Sequence, residues 1–409
     1  MIKLTISGGN NMSEYLIIGN GVAGTTAAEN IRKIDKAGRI TIVTEEGLSF
    51  YYRIRLNEYI SGDVGQDGLM AKKGSWYSEN NIGLILNTRI TSIDPDKRQV
   101  VTEKGDTIHY DKLLIAAGSS SFIPPINGSQ IKGVFAIRSI RDAEMIMQYS
   151  RNVKDAVVIG GGLLGLEAAN ALRKMGKNVA VVEFAPRLLP RQLDNEGAKR
   201  LQTLMERMGL LFRLDAKTEA ITGDEAVTAV RLSGGETLPA QMVIISAGVR
   251  PNMELAKAIG LDSDRGIKIN GHLSTNRLDI FAAGDCAEFK GITYGIWPAA
   301  MEQGKVAGSN MAGEDIVYTG TTMTNTLKVA GIDLASSGNI DADNKYESRI
   351  KMDENSYKKV VLEDGRIIGC IMLGDTKVFP KITRLISSKT DVSRFKNKIL
   401  DEGFDFGNL

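Results

Sequence analysis

The chain has 409 residues, 43% hydrophobic and 24% charged, an ordinary globular balance that excludes a fibrous or low-complexity protein. Lys and Arg number 51 against 49 Asp and Glu, and a formal charge of +2 gives no broad attraction to nucleic acid or anionic lipid. Cys286 and Cys370 form neither a Cys-x-x-Cys pair nor a disulfide framework, and the uncharged run Ala156–Leu166 is only 11 residues long, short of the ~18 of a membrane span.

A cytoplasmic chain with neither nucleic acid nor membrane as partner is therefore expected. Residues 1–11 do not resemble a secretory leader, and strand-like sequence begins only after Met12. They are expected to be a non-native or disordered extension, with Met12 as the natural start.

Tyr15–Ile18 is an apolar strand pattern that runs into Gly19-x-Gly21-x-x-Gly24 and then an Ala-rich stretch of helical period. A β-rich run, Ile40–Thr44, follows and ends in Glu45. Turn signals at Asp94-Pro-Asp and Glu103–Asp106 predict a small antiparallel hairpin, and Leu113–Gly118 reads as a buried strand stopping at glycine. Pro124-Pro125 marks the expected boundary of this unit.

The same order then repeats. Ala156–Ile159 leads into Gly160-x-Gly162-x-x-Gly165, the β-rich run Val179–Val182 ends in Glu183, Ser233–Gly235 marks a hairpin, and Val243–Gly248 echoes the glycine-terminated strand. From the third fingerprint glycine to that later glycine is 94 residues in the first copy and 83 in the second. Asp279–Asp285 is a strand ending in Gly284-Asp285, and a helix is predicted from Pro298, a good first-turn residue because its missing N–H would be unpaired there anyway. After about Thr319, alternating β-type residues (Thr326–Ala330, Tyr357–Leu362, Ile367–Leu373) and a basic helical tail read as a third, smaller domain.

The glycine pattern alone is short and common, so its surroundings carry the inference. The first glycine permits a tight turn, the second lets backbone N–H groups approach a pyrophosphate, and the third lets helix pack on strand. The helix N-terminus adds partial positive charge. Glu45 follows Gly24 by 21 residues and Glu183 follows Gly165 by 18, near the ~20 at which an acid accepts from ribose hydroxyls. Glu183 would repel a 2′-phosphate, which favours NADH, while Arg187 and Arg191 keep NADPH open as the less favoured choice.

The order of the first fingerprint, Tyr52-Arg53-x-Arg55-Leu56, Ala116-Ala117-Gly118, the second fingerprint, Ser246-Ala247-Gly248 and Ala283-Gly284-Asp285 resembles the FAD-dependent pyridine nucleotide-disulfide oxidoreductase superfamily over nearly the whole chain. Arg53–Glu58 and Leu327–Ile332 most resemble NADH:rubredoxin oxidoreductases and the flavin module of assimilatory nitrite reductases. The resemblance implies an α/β fold: two tandem Rossmann-like dinucleotide-binding domains, glutathione-reductase-like, with a small α+β C-terminal domain. The expected FAD-binding domain is discontinuous, 12–121 and 244–318, with an NAD-binding domain at 122–243 and an interface domain at 319–409.

It further implies that FAD lies on Gly19, Gly21, Val22, Ala23 and Gly24, with Glu45 at the ribose, Arg53 at a phosphate and the Ile90 backbone at adenine. Ala116, Ala117, Gly118 and Arg138 would line the same cofactor, Gly284 and Asp285 would meet the ribityl chain, and Trp297 with Pro298 would stand beside the flavin. A helix start there would stabilise negative charge on a reduced flavin. The plainer reading of Trp297 is a core tryptophan. NADH would occupy Gly160, Gly162, Leu163, Leu164, Gly165, Glu183, Arg191, Ala247 and Gly248.

No cysteine stands near Ser49–Arg53, and the only histidines are His109 and His272, so thiol–disulfide chemistry is excluded. Cys286 reads as a small buried hydrophobe. No metal site is expected. Relatives carry a flavin-side Lys where this chain has Glu58, and its usual partner is matched by Glu167. Two such acids could hold a proton between them, or Arg55 could neutralise them.

The expected activity is hydride transfer from NADH to FAD and electron transfer to a small carrier such as rubredoxin or another iron–sulfur protein, by a monomer or homodimer. The basic residues Lys377, Lys381, Arg384, Lys389, Arg394, Lys396 and Lys398 could steer an acidic carrier, or simply form a solvated face. An NADH oxidase reducing O₂, a nitrite-reductase flavin component and a non-enzymatic NADH-sensing flavoprotein remain open alternatives.

Overall fold

The computed structural model describes residues 12–322 and 324–408. Residues 1–11, expected as an extension, lie outside them. The chain divides into two compact units: residues up to Tyr52, Gln66–Ser120 and Val249–Thr321 form the first, and Arg53–Gly65, Ser121–Gly248 and Thr322 onward the second. Residues 53–65, which the sequence reading keeps with the first nucleotide-binding domain, thus pack with the second unit, where helix Leu56–Ser61 lies against helices Ile140–Ser150 and Leu163–Lys174.

The first unit is built on a parallel sheet in the order Ile280–Ala282, Lys112–Ile115, Glu14–Ile18, Arg39–Val43, Ile82–Ile85. Its strands read as continuous apolar runs because both faces are covered; Ile17, Ile42 and Leu114 are fully buried. Helix Val22–Ile34 lies against helix Trp297–Met311. An added Cβ at Gly304 or Gly308 would stand 2.4 Å from the carbonyl oxygen of Ala23 or Ala27, so these glycines allow backbone to touch backbone.

The second unit holds a matching parallel sheet, ordered Leu211–Arg213, Asn178–Val182, Asp155–Ile159, Met242–Ile245, Val134–Phe135. Each hairpin signal becomes a three-stranded antiparallel sheet, Ile90–His109 in the first unit and Thr218–Pro239 in the second, with Gly105, Gly234 and Gly235 at positive φ in the turns. The C-terminal region is a five-stranded antiparallel sheet backed by helix Phe379–Ser388, whose buried Phe379, Ile382 and Leu385 face Val360, Cys370 and Met372. Its strands Ile332–Gly338 and Glu347–Met352 have no counterpart in the sequence reading. No helix among the described residues is long and apolar enough to cross a membrane.

Candidate functional site

In the first unit the chain turns sharply at the end of strand Glu14–Ile18. Gly19 has φ +110°, its N–H donates to the Val43 carbonyl at 2.8 Å, and a Cβ there would lie 2.2 Å from the Ala116 oxygen. Gly24 is equally confined, since its Cβ would approach the Gly19 oxygen to 2.0 Å. Gly21 is different: nothing lies within 4 Å of where its side chain would be, and no side chain caps the helix that starts with Val22 and Ala23. A helix start with free N–H groups under open space suits a phosphate. Glu45 is exposed just beyond strand Arg39–Val43, while Ile90 is buried at the start of its hairpin strand.

Ala116 is buried, and the following Ala117 and Gly118 carbonyls accept from the Asn252 side-chain and backbone N–H groups at 2.8 and 3.0 Å. Gly118 and Gly284 have φ +68° and +83°, conformations natural to glycine. Gly284 N–H donates to the buried Gln303 Oε1 at 2.8 Å, and Asp285 accepts from Ser119 Oγ at 2.8 Å. Gln303 was not singled out by sequence. It is the side chain that holds the Gly284-Asp285 turn on helix Trp297–Met311.

That helix starts one residue before the expected Pro298, which is exposed. It too has no side-chain cap. Trp297 is half-buried against both Phe50 and Tyr52, ring centroids 5.7 and 5.5 Å away and both planes tilted by 27°, and those two rings are themselves 6.3 Å apart, so the three form a triangle. The core-tryptophan reading therefore applies in part, since the indole packs on Phe50 and Tyr52, a contact that the sequence reading does not assign. The Phe50 N–H donates to Tyr77, whose hydroxyl donates at 2.8 Å to Asn20 inside the fingerprint, so the glycine turn and the aromatic stack share one network.

The second unit repeats the turn. Gly160 has φ +120° and bonds the Val182 carbonyl at 2.8 Å, and Gly165 would strike the Gly160 oxygen at 2.0 Å if it carried a Cβ. Gly162 again has open space and an uncapped helix beginning Leu163-Leu164, with Leu164 exposed. Glu183 accepts from the Gly161 and Ala185 backbone N–H groups at 2.5 and 2.7 Å. Arg187 donates to the Pro190 and Leu193 carbonyls, both at 3.2 Å, so it is committed to the loop, whereas Arg191 is exposed. Ala247 and Gly248 are exposed beyond strand Met242–Ile245.

In the same unit Arg53 donates to the Arg138 carbonyl at 3.0 Å. Glu58 is exposed and ion-paired with Arg55 at 2.7 Å. Glu167 is pushed up to about 7, chiefly by burial; the Glu58 charge adds to the shift and the Asn57 amide opposes it. Burial therefore outweighs like-charge repulsion. Asn57 Nδ2 donates to Glu167 at 3.4 Å, while its buried Oδ1 has no partner. A protonated Glu167 would have that acceptor beside it once the amide turned over. Burial drives Cys286 up to about 11 and Cys370 up to about 12, which makes both inert thiols at neutral pH.

The sequence model of the pyridine nucleotide-disulphide oxidoreductase family matches residues 13–304. The chain belongs to that family. Residues 324–390 match the C-terminal domain of rubredoxin NAD⁺ reductases. The chain is 36% identical to a nitrite reductase [NAD(P)H] of Bacillus subtilis over 93% of its own length but only 48% of that protein, so it spans about half of this relative. It is 33% identical to the NADH-rubredoxin oxidoreductase of Clostridium acetobutylicum, covering 92% of this chain and 95% of that one. The fold superposes on the reductase of the covalent putidaredoxin reductase–putidaredoxin complex with TM-score 0.87 and 26% identity, covering 97% of each chain.

Proposed function

We propose that the chain is an FAD-dependent NADH oxidoreductase that delivers electrons to a small carrier protein. One observation carries the reading: the chain holds two glycine turns in which the first and third glycines are locked by contact while the second, Gly21 or Gly162, faces open space before an uncapped helix. Two such sites suit two dinucleotides. FAD is assigned to the first and NADH to the second, with domain limits at 12–121 plus 244–318, 122–243 and 319–409, apart from residues 53–65 and 244–248, which pack with the second unit. Bound FAD supplies hydride acceptance followed by release of single electrons.

The residues then divide the work. Gly19, Gly21 and Gly24 with the N–H groups of Val22 and Ala23 take the FAD phosphates, Glu45 the ribose, and Asp285, kept in place by Ser119 and Gln303, hydroxyls of the chain between ring and phosphate. The uncapped start of helix Trp297–Met311 favours negative charge placed before it, and Trp297 shields that place from water. Gly160, Gly162 and Gly165 hold the NADH pyrophosphate, with Glu183 at the ribose. Buried Cys286 and Cys370 leave no thiol for disulfide chemistry.

The match of residues 324–390 to the C-terminal domain of rubredoxin NAD⁺ reductases favours rubredoxin as the carrier. The likeness to half of a nitrite reductase favours, second, an electron-supplying component for a separate haem-bearing subunit. Anaerobic rapid mixing tests both. Purified protein should be yellow and bleach with NADH, and rubredoxin should then restore the colour faster than O₂ or nitrite does. Colourless protein that takes up no FAD overturns the assignment, and faster recovery with O₂ than with rubredoxin overturns the choice of carrier.

A further inference from the structure

The loop that leaves strand Asn178–Val182 is held at three points. Glu183 is bonded to the Gly161 and Ala185 N–H groups. Arg187 crosses the loop to the Pro190 and Leu193 carbonyls. Asp194 closes it, accepting from Gly197 N–H at 3.0 Å at the start of helix Asn195–Arg207 and from Tyr357 and Lys359 at 2.7 and 3.0 Å.

On this tied loop Phe184 is 73% exposed, the most exposed aromatic side chain among the described residues. A ring left in water forfeits the hydrophobic gain that places most phenylalanines inside. The exposure is not the product of a slack segment, because the residues on both sides of Phe184 are fixed by the same carboxylate. Phe184 also stands where open parallel sheets receive ligands, just past the carboxyl end of a strand beside the glycine turn.

We propose that Phe184 is an aromatic platform on which the adenine ring of the nicotinamide dinucleotide stacks. The inference rests on the assignment of NADH to the second glycine turn. The neighbouring residue, Glu183, is the acid at ribose spacing, and adenine is borne by that ribose, so the base falls within reach of the next side chain. A fixed, ready-exposed ring costs little ordering on binding and stacks on a base without needing hydrogen-bond partners.

The test titrates the holoenzyme with ADP-ribose, AMP and nicotinamide mononucleotide, following heat for the parent and Phe184→Ala and indole emission for Phe184→Trp. Phe184→Ala should weaken ADP-ribose and AMP by about tenfold and leave nicotinamide mononucleotide unchanged. Phe184→Trp should keep parental affinity for ADP-ribose, with emission quenched by AMP. Unchanged ADP-ribose affinity in Phe184→Ala, or an indole that AMP does not perturb, overturns the platform while leaving the dinucleotide assignment intact. A parent enzyme that binds neither ADP-ribose nor NADH overturns both.

Discussion

Asp194 and Lys359 form an ion pair inside the second unit, Oδ2 to Nζ 3.0 Å, with the lysine side chain fully buried. They are 165 positions apart in the chain. Lys359 also donates to the Asp341 carbonyl at 2.9 Å, and the Tyr357 phenol, its pKa raised by burial and by Asp194, donates to the same carboxylate. The pair ties the loop carrying Glu183 and Phe184 to the C-terminal sheet.

Removing one partner strands a buried charge, which typically costs about 3–5 kcal/mol. Lys359→Met should lower stability by that order in urea unfolding, and adding Asp194→Asn should recover part of the loss, because Asn also caps a helix and carries no charge. A single substitution costing under about 1 kcal/mol would show the pair to be incidental.

Glu167 gives stability a pH dependence. Its pKa rises from 4.5 to about 7 on folding, chiefly through burial, so the folded state binds the extra proton between those values. The carboxyl's favourable contribution is full below pH 4.5, falls as pH rises, and is lost above about 7, a change on the order of 3 kcal/mol. Glu167→Gln should therefore flatten urea-measured stability across that window and gain on the parent above pH 8. Parallel curves for parent and variant would remove Glu167 as the source.

The fingerprint glycines should separate into two kinds. Gly24→Ala forces a Cβ to 2.0 Å from the Gly19 oxygen and should cost at least the ~1–3 kcal/mol of core overpacking, seen as a lowered Tm. Gly21→Ala meets no atom within 4 Å and has ordinary extended φ, so it should fold normally yet purify with little flavin. Full flavin content in Gly21→Ala would contradict the phosphate assignment.

Cofactor choice should turn on Arg191, since Arg187 is spent on loop carbonyls. Arg191→Ala should raise KM for NADPH about two- to fivefold, the scale of one exposed charge pair, and leave KM for NADH in place. Equal effects on both coenzymes would assign Arg191 another role.

Both thiols should be silent in the native state. Cys286 and Cys370 are fully buried and shifted up to about 11 and 12, so a colorimetric disulfide reagent should titrate neither until urea is added, when both react. Loss of NADH turnover on mild alkylation would contradict this.

What was legible in the sequence is what neighbouring residues impose on one another. Glycines at Gly19, Gly21 and Gly24, an apolar run before them and an acid about twenty residues after describe one strand–turn–helix–strand unit, and its repetition at Gly160–Glu183 made the tandem α/β fold readable. The exposed Arg191, the buried Cys286 and the turn at Gly284-Asp285 were likewise within reach of local reasoning. Tertiary structure decided the rest, because packing joins positions that no local pattern relates. It alone put Phe50 and Tyr52 on Trp297, the Asn57 amide on Glu167 110 positions away, Gly304 and Gly308 on the backbone of Ala23 and Ala27, residues 53–65 in the second unit, and Lys359 on Asp194. Burial then set the chemistry: exposed Glu58 is ion-paired with Arg55, whereas buried Glu167 is pushed toward neutrality, a difference of environment rather than of residue type.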